Sequence, residues 1–435
     1  MSNLKLGLGR EIITPEVGGQ LFGYRPDVFS SSVMDDLTAT VFYFEQGDVR
    51  ALMVSVTVCL IHNDLAKRIQ LDIEKNFGIA KENCMICATH THSGPNTSGM
   101  PGWGDIDEKY CEEIFIPQIL AAVKSAVANP VPVKVGMAFG KSEIGINRRE
   151  LDINNNIVLG QNPWGCYNPQ MTVISFKDND GRPYANIVHY GAHCTAAGPN
   201  SEITRDWAGI MIDSLEAESG AMTAFLNGPE GDVGPRLTSG FTEGGGNIRY
   251  VKEIGYAAAM DAVGIFKKIC EWRDAELCVS SGQVNIPLQP RPPLEFAVAE
   301  LEKFSNETVN LKGTIAVRYR NIIESYENGY EEKESDGFVQ TVMRIGNIAF
   351  VNFPYELFSE IGMRIDRESS IPHVLSLSNT NGNKRYFVTQ DQLCRGGYEV
   401  DMFVHGHIQS YVDNADWYLI KETLKNLESN GKDNI

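Results

Sequence analysis

Residues 50–60 read RALMVSVTVCL and residues 83–92 read NCMICATHTH. The first run is apolar and rich in β-branched side chains, the composition of a strand buried on both faces. The second has that character up to Ala88 and then turns polar. Between them, Asp64 to Phe77 carries Leu65, Ile69, Leu71 and Ile73 along a helix, with Asn63 placed to cap its start and Gly78 to stop it. Strand, helix, strand in that order predicts a βαβ unit whose second strand lies parallel to the first and is reached by a right-handed crossover.

The same grammar recurs along the chain. A helix from Glu108 to Val127 and a strand from Val131 to Ala138 follow. Strands are expected over Met171–Phe176 and Ala185–Tyr190, then a helix from Arg205 to Ser219 closed by Gly220, a strand over Met222–Leu226 and a long helix from Asn247 to Trp272. Phe338–Ile345 and Ile348–Phe353 flank Gly346-Asn347, a two-residue hairpin turn in which both residues tolerate positive φ. A helix over Tyr355–Glu368, a strand over Val374–Ser378 and a last helix over Ile408–Leu427 complete the reading. The expectation is one mixed α/β catalytic body over residues 1–428. A lobe boundary is expected near the proline-rich segment 289–293, and residues 429–435 read as a frayed tail.

The chain has 435 residues, with 38 Lys+Arg against 56 Asp+Glu and a formal charge of −18. Phosphate neutralisation needs a basic face, and no block of Lys or Arg occurs, so sequence-independent nucleic-acid binding is excluded. The opening MSNLKLGLGREIITP has no basic-then-apolar signal, and no run approaches the ~20 apolar residues that span a bilayer. The expectation is a cytoplasmic protein without stable membrane insertion. Nine scattered cysteines suit a reducing compartment. Cys84 and Cys87 fit C-x-x-C, but with no second pair to complete a four-thiolate site they read as residues of a buried strand.

Chemistry concentrates at strand ends. His90 and His92 sit two apart at the carboxyl end of the strand expected over Asn83–Thr89, where open α/β sheets bind ligands. In extended backbone both imidazoles face one side. His189 and His193 follow the strand ending at Tyr190, and Asp206 stands ready to accept the second N–H of an imidazole. Four histidines at two strand ends point to one metal site, and imidazole with a carboxylate favours zinc. The spacing does not say which acid completes it, nor whether His189 or His193 is the ligand. His405-Gly406-His407 is a second closely spaced pair, and Gly244-Gly245-Gly246 a glycine-rich loop that lacks the Lys-Ser/Thr of a phosphate loop.

The chain resembles the catalytic domain of the neutral (non-lysosomal) ceramidases. The resemblance rests on Gly9-Arg10-Glu11-Ile12-Ile13-Thr14-Pro15, Thr89-His90-Thr91-His92-Ser93-Gly94-Pro95, Ile146-Asn147-Arg148 and NGPEGDVGP at 227–235. It continues through YELFSEIGMR at 355–364, Tyr386-Phe387-Val388-Thr389 and Tyr398-Glu399, in the family's order. It implies that His90, His193, Glu356 and Tyr386 bind one zinc ion and that His92 and Arg148 line the reaction centre. It also implies that Asn227, residue 234 and Tyr398 face the substrate, and that the reaction is hydrolysis of an N-acyl amide by metal-activated water. Without the resemblance, Glu356 reads equally as a first-turn helix acid favoured by the helix dipole, and Tyr386 as a half-buried strand aromatic.

One position departs from the family. Where it has Gly-Asp-Val-Ser-Pro, this chain has Gly231-Asp232-Val233-Gly234-Pro235, so no hydroxyl stands at Gly234. The immunoglobulin-like domain that ceramidases carry at the carboxyl end is also not expected here. The reading is therefore a zinc hydrolase acting on a small-molecule amide or ester other than ceramide. The alternative is a non-catalytic relative that binds zinc or a ligand and lost activity with the serine.

Overall fold

The computed structural model describes residues 4–240 and 246–430. Its core is built from one strand order used three times. In the first unit, Lys5–Ile12 pairs antiparallel with Thr38–Gln46, which pairs antiparallel with Val49–Val56, which pairs parallel with Cys84–Ala88. The second unit repeats this with Val131–Lys141, Gln170–Asp178, Pro183–Tyr190 and Met222–Asn227. The third repeats it with Leu277–Pro287, Ser335–Ile345, Ile348–Asn352 and His373–Leu377. In each, the parallel crossover carries a helix, respectively Asn63–Phe77, Asp206–Ser219 and Ser359–Glu368. A second helix follows each last strand, namely Ile116–Ala128, Ile248–Phe266 and Ala415–Ser429.

The first two units join edge to edge through Lys5–Ile12 and Val131–Lys141 into an eight-stranded sheet, and the third forms a separate four-stranded sheet. Alternation of side chains along the strands sorts the layers. Phe42, Met53, Met85, Ile187 and Leu226 face Leu277, Met343, Ile348 and Leu375 across the two sheets. On the outer face of the large sheet, Val41, Val54 and Ile86 pack on Ile69 and Ile119, while Val173, Val188 and Phe225 pack on Trp207, Met211 and Ile254. The small sheet buries Val342 and Val351 against Ile361, Ile365 and Leu419. Four layers result, helix on sheet on sheet on helix, the mixed α/β architecture that the sequence predicts. The helix over 116–128 lies so close to the first strand that a Cβ on Gly9 would sit 1.9 Å from the Ala122 carbonyl oxygen.

The βαβ unit read from residues 50–89 is present, with Gly78 left-handed at φ 67° and accepting the role of helix stop. Its cap is His62, whose Nδ1 accepts from the Asp64 N–H at 3.3 Å, and not Asn63. Asn63 instead spends its side chain on the loop at Asn383. Helix does not begin at Tyr355. Glu356 and Leu357 form a two-residue strand parallel to Tyr386–Phe387, and the helix starts at Ser359. The first-turn-acid reading of Glu356 falls with it. The long helix ends at Phe266, six residues short of Trp272. The last helix starts at Ala415 because Gln409, just before it, bonds its side chain to the backbone of Gln289 and Lys333 and pins that stretch as loop.

The proline segment 289–293 is tied down, with the Gln289 N–H donating to Ser410 O and Pro293 capping a helix over Leu294–Lys303 that the sequence reading missed. Ser429 ends the last helix and Asn430 is buried, donating to Ser280 Oγ at 2.7 Å, while residues 431–435 of the expected tail lie outside the described residues. Gly244 and Gly245 lie outside them too. No helix among the described residues is long and apolar enough to cross a membrane.

Candidate metal centre

The strands of all three units run their carboxyl ends to one place. Cys59 and His193 lie three residues beyond the third strands of the first and second units, and Glu356 lies four beyond that of the third. His90 follows the fourth strand of the first unit by two residues. The loops are cross-linked: Thr91 bridges Cys194, Thr91 Oγ1 donates to Thr204 O at 2.7 Å, and the Trp207 indole N–H donates to His193 O at 2.9 Å.

His90, His193 and Glu356 are buried and offer ligand atoms that all lie within 4.8 Å of one another. Glu356 Oε2 stands 3.3 Å from His90 Nε2 and 3.2 Å from His193 Nε2, yet it makes no hydrogen bond of acceptable geometry. The other side of each ring explains why. His90 Nδ1 lies 2.9 Å from Cys59 O, and His193 Nδ1 lies 2.9 Å from Glu230 O and 3.1 Å from Val233 O. A carbonyl only accepts, so both Nδ1 atoms carry hydrogen, and the neutral rings turn their Nε2 lone pairs towards the carboxylate. In the neutral state these lone pairs repel in a dry site unless a cation joins them, a proton on His90 Nε2 in the bare cluster or a metal ion in its place. The residues present therefore fit a metal ion.

The electrostatics agree. Burial disfavours charge on both partners, yet the Glu356 carboxylate, with Cys59, draws His90 well above the usual histidine range, and His90 in turn holds Glu356 well below the carboxylate range. As a set of side chains, the cluster pulls positive charge into itself. His193 is held down to about 3 by burial and by Arg148, so it stays neutral at ordinary pH.

The expected fourth ligand is adjacent. Tyr386 pairs in register with Glu356, which brings its phenol oxygen to 3.4 Å from His193 Nε2. Arg148 Nη2 donates to that oxygen at 2.8 Å and Arg148 Nε to Glu399 Oε1 at 2.8 Å. Arg148, 0% exposed, thus joins Tyr386 to Glu399 beside the cluster, where it serves as a positioning group for the phenol.

His92 does line the cavity, but not for the reason of strand alternation. His90 is left-handed at φ 69°, so the chain turns between the two histidines, and their Nε2 atoms meet at 3.3 Å. His92 is packed edge-on to Tyr24 at 4.8 Å, and burial, followed by the neighbouring His90, drives it well below its ordinary pKa. Gly23, at φ 127°, makes room for this ring: a Cβ there would lie 2.4 Å from His92 Cγ. No local motif in the sequence pointed to Gly23.

The cavity has a volume of only about 20 Å³ and is walled by Phe22, Leu60, Met100, Trp103, Tyr398 and Met402 beside the polar cluster. Tyr398 is where it was expected. Asn227 and Gly234 are not among the lining residues. Asn227 is buried and ties the two histidine loops together, donating to Thr89 O and accepting from the Ala192 N–H. Gly234 sits in a short strand opposite Ile146. Asp206 does not reach an imidazole. It accepts from the N–H groups of Ala196, Ala197 and Trp207, and so braces the loop that carries His193. His189 lies apart, its Nε2 2.9 Å from Ser376 O across the sheets. His405 and His407 are engaged around Arg318, away from the cluster. Cys84 and Cys87 point into opposite cores of their strand.

Comparison with known proteins gives one consistent likeness. No protein-family profile matches the chain. Over 262 residues it is 26% identical to neutral ceramidase A of Dictyostelium discoideum, covering 54% of this chain and 36% of that protein. Over 218 residues it is 24% identical to neutral ceramidase B of the same organism, covering 45% and 30%. The matched stretch thus spans about a third of either relative. The crystal structure of neutral ceramidase from Pseudomonas aeruginosa superimposes with a TM-score of 0.75 at 20% identity, over 99% of this chain and 75% of that one. A ceramidase complexed with C2 gives 0.71 at 19%, over 97% and 74%. In fold and in sequence the chain is a divergent neutral ceramidase-like protein.

Proposed function

We propose that this chain is a zinc-dependent hydrolase of linear amide bonds, of the neutral ceramidase type, acting in the cytoplasm on a small-molecule substrate other than ceramide. The observation that carries the reading is the convergence of His90 Nε2, His193 Nε2 and Glu356 Oε2, with both Nδ1 atoms already committed to carbonyls. Two imidazoles, a carboxylate and the Tyr386 phenol make the nitrogen and oxygen set that zinc accepts, and bound zinc supplies Lewis-acid polarisation and water with a pKa near ~7.

The chain's own groups divide the remaining work. His92, kept neutral, offers Nε2 inside the cavity to take up or return a proton, or to hydrogen-bond the carbonyl oxygen as charge develops on it. Arg148 fixes the Tyr386 phenol, and the apolar wall excludes water. At about 20 Å³ the cavity is far below the ~300–1,000 Å³ usual for ligand sites, so its walls must move apart to admit a substrate. All nine cysteines are free, in keeping with a reducing compartment.

Gly234, which has no hydroxyl, favours a second reading, a non-catalytic binder. A panel of N-acyl amides, esters and lactones separates the two. Turnover by wild type and its loss in Glu356→Gln supports the hydrolase, whereas metal-loaded protein that turns over none of them is a binder.

A further inference from the structure

Arg385 lines the candidate active-site cavity next to Tyr386, and among the described residues no carboxylate pairs with it. Its one side-chain hydrogen bond runs from Nη1 to His405 O at 3.5 Å, the limit of such a bond. Its neighbour Lys384 is by contrast fully engaged, with Asp336 at 2.6 Å and Gly337 O at 2.9 Å. A guanidinium carries five donors and stays charged, so leaving it half-buried and unmatched is costly unless something arrives to match it.

One further observation points to an incoming anion. Arg385 is held at φ 69°, a conformation in which a side chain costs about 1–2 kcal/mol and glycine almost nothing. The same cavity is lined by Phe22, Leu60, Met100, Trp103 and Met402, apolar groups suited to a hydrocarbon chain.

We infer that Arg385 is a specificity-determining residue that pairs with a carboxylate on the substrate, so that the preferred substrates are amphiphilic amides bearing a carboxylate a few bonds from the scissile carbonyl. The inference rests on the amidase reading and deepens it. Guanidinium and carboxylate pair through two parallel N–H···O bonds, which fixes orientation as well as adding affinity. N-acyl amino acids place the carboxylate on the leaving amine, and monoamides of dicarboxylic acids place it on the acyl side.

The test compares N-decanoylglycine with its neutral twin N-decanoylglycinamide, and N-decylsuccinamic acid with its primary amide, on wild type, Arg385→Met and Arg385→Lys. Wild type is expected to favour at least one acid over its twin by about tenfold or more in kcat/KM, chiefly through KM. Arg385→Met should lose that preference, the acid and its neutral twin becoming equal in kcat/KM, and Arg385→Lys should keep part of it. Equal treatment of acid and twin by wild type, or a preference that survives in Arg385→Met, overturns the inference and leaves the amidase reading standing. If no amide is cleaved, calorimetric binding of the same pairs decides. Tighter binding of an acid that vanishes in Arg385→Met upholds the anion site although the amidase reading has failed, and equal binding ends it.

Discussion

Glu356 and Tyr386 stand side by side as register partners in a parallel pair only two residues long. That pair is what turns two distant loops of the third unit into one half of the metal cluster. The Glu356 N–H donates to Arg385 O at 2.9 Å, so the backbone that positions the candidate carboxylate ligand is the backbone that carries the phenol and the unpaired guanidinium. Specificity and metal binding are therefore mechanically linked.

Purified protein should contain one divalent ion per chain, read by elemental analysis. His90→Ala, His193→Ala and Glu356→Ala should each drop below about a tenth of an equivalent after dialysis, since each removes one of the three converging atoms. His189→Ala should retain the ion, because that ring bonds a carbonyl between the sheets. Retention by the first three, or loss only in His189→Ala, would refute the assignment.

Arg148 acts through Tyr386 and Glu399. Lysine keeps the charge but cannot donate to both partners at once from a planar fork. Arg148→Lys should weaken metal affinity about tenfold, measured by chelator competition, with a small change in stability. Arg148→Met should cost about 3 kcal/mol in denaturant unfolding, less than the full penalty of a stranded buried charge because Arg149 still donates to Glu399 at 2.6 Å. Adding Glu399→Gln should recover part of that loss.

The sequence made the first unit legible because both its strands are apolar, its helix is amphipathic and its stop is a glycine that the structure finds left-handed. The histidine run announced itself by composition. Other features are products of tertiary structure. Glu356 lies in a stretch whose local composition reads as helix, and only pairing with residues thirty positions on makes it a strand. The threefold use of one strand order was hidden because the units share topology and burial while differing in the residues that fill them. Asn227 and Asp206 carry polar side chains close to the site in sequence, which drew them into functional roles. In space both are spent on backbone N–H and C=O groups that no periodicity reveals. Arg385 is marked by its backbone angle and its lack of a carboxylate partner, neither of which can be read from a string of letters.

Gly23→Ala separates proton chemistry from metal binding. The new methyl group would stand 2.4 Å from His92 Cγ and force that ring to move, while His90 and His193 are anchored by other carbonyls. Metal content should stay near one equivalent and turnover should fall roughly 10- to 100-fold, the range of a displaced acid–base group. Unchanged turnover would mean that His92 does no work in the reaction.

Acid stability tests the carboxyl-terminal loop independently of the metal. Burial, partly offset by Asp336 and reinforced by Lys384, Arg385 and Arg318, lowers the pKa of His407 to about 4, and its Nε2 is buried without a partner. The folded state thus keeps the ring neutral where the unfolded chain, with a pKa near ~6.5, takes up a proton. Protons bind preferentially to the unfolded state between those values, so this contribution to stability is lost as pH falls from about 6.5 to about 4 and changes little below. Its ceiling is about 3 kcal/mol. Asp206 and Asp232, raised to about 6 by burial, have the opposite sign: protonation favours their folded forms, so they add stability over the lower part of the same window and mask the trend in wild type. Comparing His407→Gln with wild type cancels them. The variant should lose less stability than wild type on going from pH 7 to pH 4.5 in urea unfolding, and parallel curves for the two would show that the ring at position 407 is already solvated in the folded protein.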